Sequence, residues 1–255
     1  DINSVIIFGG NGKIGSRITN FLLKKSFKVV VISRSNNSAI ELNVNKNLIH
    51  LNADMTIQSS LDNALSSAYD FLGDLSCVVF SSSYRPNLQN HSSFENITPW
   101  IDSVTKNALS IYTPLSRLIP FALKNKFCTS FINISSIYGL VAPDFTIYDG
   151  TDLGTESDYV YNKSASISLF KYFASKYGVD GLRFNSIAPG GFKDSQSETF
   201  VNRYSSKVPT GRMAAYEDIC ELIYLLSQKS SSYLNGSCIP LDGGWTCRWK
   251  NILVY

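Results

Sequence analysis

Short apolar runs alternate with longer amphipathic stretches from one end of the chain to the other. The short runs, rich in Val, Ile and Phe and bounded by polar or glycine residues, predict strands at Ser4–Phe8, Lys28–Ser33, Leu48–Leu51, Cys77–Ser81, Ser130–Ile134, Gly181–Ile187 and Cys238–Leu241. Between them, apolar positions recur with helical spacing over Lys13–Lys25, Gln58–Phe71, Trp100–Lys124, Asp158–Tyr177 and Ala215–Ser227. Strands that alternate with helices predict an α/β fold, a doubly wound Rossmann sheet of about seven parallel strands covered on both faces. Residues 1–255 read as one domain, with loops at about 139–158 and 191–210. Both loops follow carboxyl ends of strands, where open sheets of this kind bind ligands.

Composition narrows the partners. The net charge of +3 is too small to point to nucleic acid, and no run approaches the roughly 20 apolar residues of a membrane span. No signal-like segment opens the chain at Asp1, so a cytoplasmic location is expected. The five cysteines lack metal-type spacing and read as reduced thiols. The two histidines, His50 and His91, read as surface or packing residues, which leaves no basis for a Ser-His-Asp site or a zinc site. No metal is expected. Asn-x-Ser triplets at Asn133 and Asn162 fall inside predicted core elements, which argues against glycosylation there.

Two patterns carry chemistry. Gly9, Gly10, Gly12 and Gly15 follow an apolar strand and open a helix, the setting in which a glycine turn lets a pyrophosphate approach the backbone. Tyr159 and Lys163 stand four residues apart on one helical face, where an ammonium favours phenolate. Together they predict a redox enzyme: a dinucleotide moves the hydride and Tyr159 moves the proton. The second strand ends in Ser33-Arg34-Ser35 without a carboxylate to accept from a ribose hydroxyl. Arg34, with Lys13 and Ser33 nearby, suits a 2′-phosphate instead, so NADP is expected over NAD.

The set as a whole resembles the short-chain dehydrogenase/reductase family over essentially the full chain. The residues that carry the likeness are the glycine turn, Asn52-Ala53-Asp54-Met55-Thr56, Asn107, Ser135-Ser136, Tyr159 with Lys163, Arg183 to Gly190, Asn235-Gly236, and Leu241 to Gly244. The resemblance implies that Tyr159 is the acid/base and that Lys163 lowers its pKa while holding the nicotinamide ribose. It implies Ser136, in preference to Ser135, as the hydrogen-bond partner of the substrate oxygen, and Asn107 as support for a water relay. Asp54 is implied to face the adenine. Asn11, Ile14, Met55, Ser81, Pro189 and Gly190 complete the implied cofactor site. A rival pair, Tyr172 and Lys176, lies too near Pro189 for the family's spacing and reads as packing and a helix-end charge.

Three departures bear on the substrate. The glycine spacing and the long interval from Ser136 to Tyr159 resemble the family's extended, sugar-handling branch, and Asp194 stands where a Thr is common. Ser136 to Phe145 and Ile147 to Thr151 resemble flagellin-modification oxidoreductases of bacteria. Asp144, Asp149, Asp152, Glu156 and Asp158 fall between Gly139 and Tyr161 with no Lys or Arg among them. That loop predicts a polar, acidic wall suited to a sugar or amino sugar and unfavourable to a carboxylate. Lys193, Arg203, Lys207 and Arg85 could supply a phosphate contact, but read in preference as solvated surface. The expected reaction interconverts a secondary alcohol and a ketone on a carbohydrate. An acyl or small-carbonyl reductase, a cofactor-recycling lyase or epimerase, and a non-catalytic NAD(P)H sensor are the alternatives. Apolar residues of the long helices, Tyr112, Leu169, Phe170 and Phe173, predict a homodimer or homotetramer.

Overall fold

The computed structural model describes residues 3–35, 45–85 and 96–247. Its centre is one parallel sheet of seven strands: β1 (Ser4–Phe8), β2 (Lys28–Ser33), β3 (Leu48–Asn52), β4 (Cys77–Phe80), β5 (Ser130–Ile134), β6 (Arg183–Pro189) and β7 (Cys238–Leu241). The helices are α1 (Lys13–Lys24), α2 (Gln58–Leu72), α3 (Thr98–Asn125), α4 (Ser157–Tyr177), α5 (Glu198–Lys207) and α6 (Tyr216–Ser227). The spatial order is β3-β2-β1-β4-β5-β6-β7. The chain therefore reverses its direction of travel between β1 and β4, and a crevice opens at the carboxyl ends of those two strands.

Alternation along the strands sorts the core. Ile6, Phe8, Val30, Ile32, Val78, Phe80, Phe131 and Phe184 pack with α2, α3 and α4, against side chains such as Leu61, Leu115 and Phe170. Their strand neighbours Val5, Ile7, Val29, Val31, Val79, Ile132 and Ile187 pack on the other face with Ile18 and Leu22 of α1 and Ile219 and Ile223 of α6. Both faces are dry, as a parallel sheet requires. Each such side chain contributes roughly 1.5–3 kcal/mol by leaving water.

Two predicted boundaries change. The sixth strand begins at Arg183 and runs on to Pro189, because Gly181 has a left-handed φ of 81° and closes the turn after α4 instead of entering the sheet. The segment 191–210 is not all loop: Ser197 caps α5 through the Phe200 amide, and Phe200 and Tyr204 are the buried residues of that short helix. A small separate core of Ile147, Phe200, Tyr204, Val208 and Met213 joins it to the loop before α4. Phe170 and Phe173 belong to the main core, whereas Tyr172, expected to pack, is exposed. The sequon residue Asn133 is buried between Ser166 and Ser186. His50 is half-buried on β3, and His91 lies outside the described residues. No helix of the described residues is long and apolar enough to cross a membrane.

Candidate active site

Two adjoining clefts occupy the crevice. The first, about 520 Å³, is walled by the turn from Gly9 to Ile14, by Ser33, Arg34 and Ser35 after β2, by Met55, and by Ser81, Ser82, Ser83 and Arg85 after β4. Gly9 has φ of 73°, and a Cβ on Gly15 would lie 2.1 Å from the Gly9 carbonyl oxygen, so neither position admits a side chain. Gly12 caps α1 with no side chain over the helix end, which leaves amide groups at the positive terminus open to an anion. The Ser82 hydroxyl is buried without a hydrogen-bond partner among the described residues, a group that a ligand in this cleft would satisfy. Asp54, Met55, Thr56 and Arg34 line a side pocket. The Asp54 carboxyl lies below the usual carboxylate range: burial, the largest influence, opposes this, and hydrogen bonds from Thr56 with the charge of Arg34 outweigh it. These residues fit a dinucleotide.

The second cleft, about 320 Å³, holds Ser136, Tyr159 and Lys163 and shares Ile14, Ser81, Ser83 and Arg85 with the first. It also takes in Pro189 and Gly190 at the end of β6. The serine pair divides its work. Ser135 donates to the Lys163 carbonyl at 2.8 Å and ties α4 to β5, while Ser136 accepts from the Tyr138 amide at 3.2 Å and hydrogen-bonds Tyr159. The Lys163 nitrogen donates to the Ile134 carbonyl at 3.0 Å and stands 5.6 Å from the centre of the Tyr159 ring. Burial, the largest influence on the phenol, favours its neutral form. The Lys163 charge, the Ser136 hydrogen bond and Arg85 outweigh it and hold Tyr159 below the ordinary tyrosine value. Lys163 is itself held down, first by burial. The site can therefore offer a proton or take one at the Tyr159 oxygen beside a serine hydroxyl.

Asn107 sits on α3 behind this wall. Its side-chain oxygen accepts from the Tyr84 amide at 2.9 Å, and its nitrogen donates to the Tyr84 and Ser103 carbonyls at 2.9 Å each. Lys13, on the wall of the first cleft, pairs with Asp194, which raises the Lys13 pKa through that hydrogen bond and its charge. Tyr172 and Lys176 stand away from both clefts.

The sequence profile described as enoyl-(acyl carrier protein) reductase matches residues 11–246. The chain belongs to the short-chain dehydrogenase/reductase family. This oxidoreductase is similar to post-translational flagellin modification protein A of Campylobacter coli, 24% identical over 94% of this chain and 97% of that protein. Its fold matches a short-chain dehydrogenase of Leptospira borgpetersenii with bound NAD+, at a TM-score of 0.83 and 23% identity over 96% and 93% of the two chains. It also matches ElxO with NADP bound, at a TM-score of 0.78 and 22% identity over 97% and 100%. As a member of that family, the protein is an NAD(P)-dependent oxidoreductase.

One expectation fails. None of the five loop acids lines the second cleft. Asp144 is bound by Lys207 and Thr146, and Asp158 accepts from Ser103. Lys207 and Arg203, read as solvated, instead bridge α5 to this loop, Arg203 through the Asp149 carbonyl. The wall is polar through hydroxyl groups. Tyr138 and Tyr148 share a hydrogen bond of 2.7 Å, and Tyr148 meets Thr155 at 3.0 Å. Arg85, also read as surface, has its guanidinium carbon 5.0 Å from the centre of the Tyr159 ring. The signal for both Ser82 and Arg85 was their place directly after β4, at the reversal point of the sheet.

Proposed function

We propose that this enzyme interconverts a secondary alcohol and a ketone on a sugar-type substrate, with NADP(H) as the preferred cofactor. The observation that carries the reading is the hydroxyl wall of Tyr138, Tyr148 and Thr155 beside Ser136 and Tyr159. Such groups give and accept hydrogen bonds in any orientation a polyol demands. The flagellin-modification relative supports a place in bacterial surface-glycan chemistry.

A bound nicotinamide would supply or accept the hydride. Ser136 then holds the substrate oxygen, and Tyr159 gives it a proton in reduction or removes one in oxidation. Lys163 keeps the phenol acidic and holds the nicotinamide ribose. Asn107 supports the proton relay from α3, with its carboxamide fixed on the Tyr84 backbone. Arg34, exposed at the end of β2, takes the adenosine phosphate. Ile101, Leu109, Tyr112 and Tyr161 form an exposed apolar face on α3 and α4 that supports pairing with a second copy. Light scattering tests that pairing, and a monodisperse monomer refutes it.

The test of the reaction is turnover of NADP(H) against panels of sugars, amino sugars and nucleotide sugars, run beside acyl thioesters and aliphatic ketones. A site built to pair hydroxyls rejects analogues that lack them, by a factor up to roughly 10⁴. Higher kcat/KM on the apolar panels overturns the sugar assignment.

A further inference from the structure

Among the described residues, the cations of the second cleft are Arg85 and Lys163, and no carboxylate lines it. Lys163 lies behind Tyr159, bonded to the Ile134 carbonyl. Arg85 is exposed at the junction of the two clefts, against the Tyr159 ring and within hydrogen-bond reach of its hydroxyl. The nearby acids are engaged elsewhere: Asp102 by Lys106 and Tyr84, Asp194 by Lys13, Asp144 by Lys207, Asp158 by Ser103. Among the described residues Arg85 meets no carboxylate. Its backbone is nevertheless fixed, because Asn107 grips both polar groups of the preceding residue, Tyr84. A guanidinium held at a catalytic cleft without a counter-charge is a planar fork shaped for an oxyanion.

We propose that Arg85 binds an oxyanion of the substrate, a carboxylate or a phosphate, and holds it beside the carbon that reacts at Tyr159. The substrate is then an acidic or phosphorylated sugar in preference to a neutral one. This rests on the sugar-type reading above and replaces the expectation that a carboxylate is disfavoured. Its physical basis is that Asp144 and Asp158 are bound to α5 and α3, and that among the described residues the charged groups lining the cleft are cations.

The experiment compares hexoses with the matching hexuronates and hexose 6-phosphates, and neutral ketones with the matching keto acids. Wild type, Arg85→Gln and Arg85→Lys are assayed with saturating NADP(H). The readout is the ratio of kcat/KM for the anionic member to that for the neutral member, since effects of Arg85 on Tyr159 are common to both. Wild type is expected to favour the anion about 10- to 100-fold, the value of a charge-assisted hydrogen bond. Arg85→Gln is expected to remove most of that ratio and Arg85→Lys to keep part of it. The hexuronate and phosphate arms identify which oxyanion is read. A ratio near one in wild type, or one unchanged in Arg85→Gln, overturns the proposal. So does weakened cofactor binding with an intact ratio, which would assign Arg85 to the cofactor. Keto acids preferred over neutral ketones while no sugar reacts would sink the sugar reading alone. Sugars turned over without regard to charge would sink the Arg85 proposal alone. Calorimetric titration of the same pairs onto the enzyme–NADP+ complex decides the matter where turnover is undetectable, and equal binding of both members overturns it.

Discussion

Replacing Tyr159 by Phe removes one oxygen and leaves the ring in place, between the Lys163 nitrogen at 5.6 Å and the Arg85 guanidinium at 5.0 Å. Folding should suffer little. Ser136 and Arg85 both lose a bond to the phenol, but Ser136 keeps the Tyr138 amide and the exposed Arg85 regains water, so the cost is about one net hydrogen bond, ~1 kcal/mol. For a chain of this size that is roughly 2–4 °C in Tm. Turnover should suffer greatly, because no neighbour can replace the lost donor. The Tyr138 hydroxyl is bonded to Tyr148 at 2.7 Å, and burial first, with that bond second, raises its pKa far above the ordinary value. The Lys163 ammonium is directed at the Ile134 carbonyl. The whole acid–base contribution is therefore lost, about 10²–10⁴-fold in kcat, or roughly 3–5 kcal/mol of barrier. Steady-state turnover followed by nicotinamide absorbance measures it, and fluorescence titration should show the cofactor Kd nearly unchanged. Tyr172→Phe, on an exposed ring of the same helix, is the matched control. More than a tenth of wild-type kcat in Tyr159→Phe would refute the assignment.

The pH profile follows from the depressed Tyr159 pKa. Oxidation needs phenolate and should rise with pH about a midpoint below the ordinary tyrosine value of about 10, while reduction needs the phenol and should fall over the same range. Arg85→Gln removes one stabilising cation and should move both midpoints upward; midpoints that stay in place would show that Arg85 does not act on the phenol. NADP(H) should bind more tightly than NAD(H), and Arg34→Asp should reverse the order, as paired Kd measurements would show; tighter NAD(H) binding by wild type contradicts the Arg34 argument. Gly15→Ala places a Cβ 2.1 Å from the Gly9 oxygen and 2.8 Å from the Gly10 Cα, backbone atoms that cannot yield. Overpacking of this kind costs about 1–3 kcal/mol or more, so cofactor affinity should collapse, and near-normal affinity in calorimetry would show that the turn is not the cradle.

The sheet and the meeting of Tyr159 with Lys163 were legible because both depend on local periodicity. Short continuous apolar runs marked the strands, and their alternate residues, Ile6 and Phe8 against Val5 and Ile7, supply the two cores. Tyr159 and Lys163 meet because both sit on α4 at helical spacing. The acids between Gly139 and Tyr161 misled for the opposite reason: composition counts charges but carries no direction, and Asp144 and Asp158 turn toward Lys207 and Ser103. Helix α5 was hidden because it is largely polar and buries only Phe200 and Tyr204, although the Ser197 cap marked its start. Arg85 was hidden because a loop residue takes its position from Asn107, more than twenty positions away.

That clamp bears on how the enzyme can be redesigned. Asn107 grips peptide groups, which every amino acid shares, so the course of the strand-4 loop does not depend on which side chain residue 85 carries. Position 85 is thus an interchangeable tip on a fixed mount. A library confined to that single position would sample new substrate preferences on an unmoved backbone, with the charge at residue 85 tuning the Tyr159 phenol at the same time.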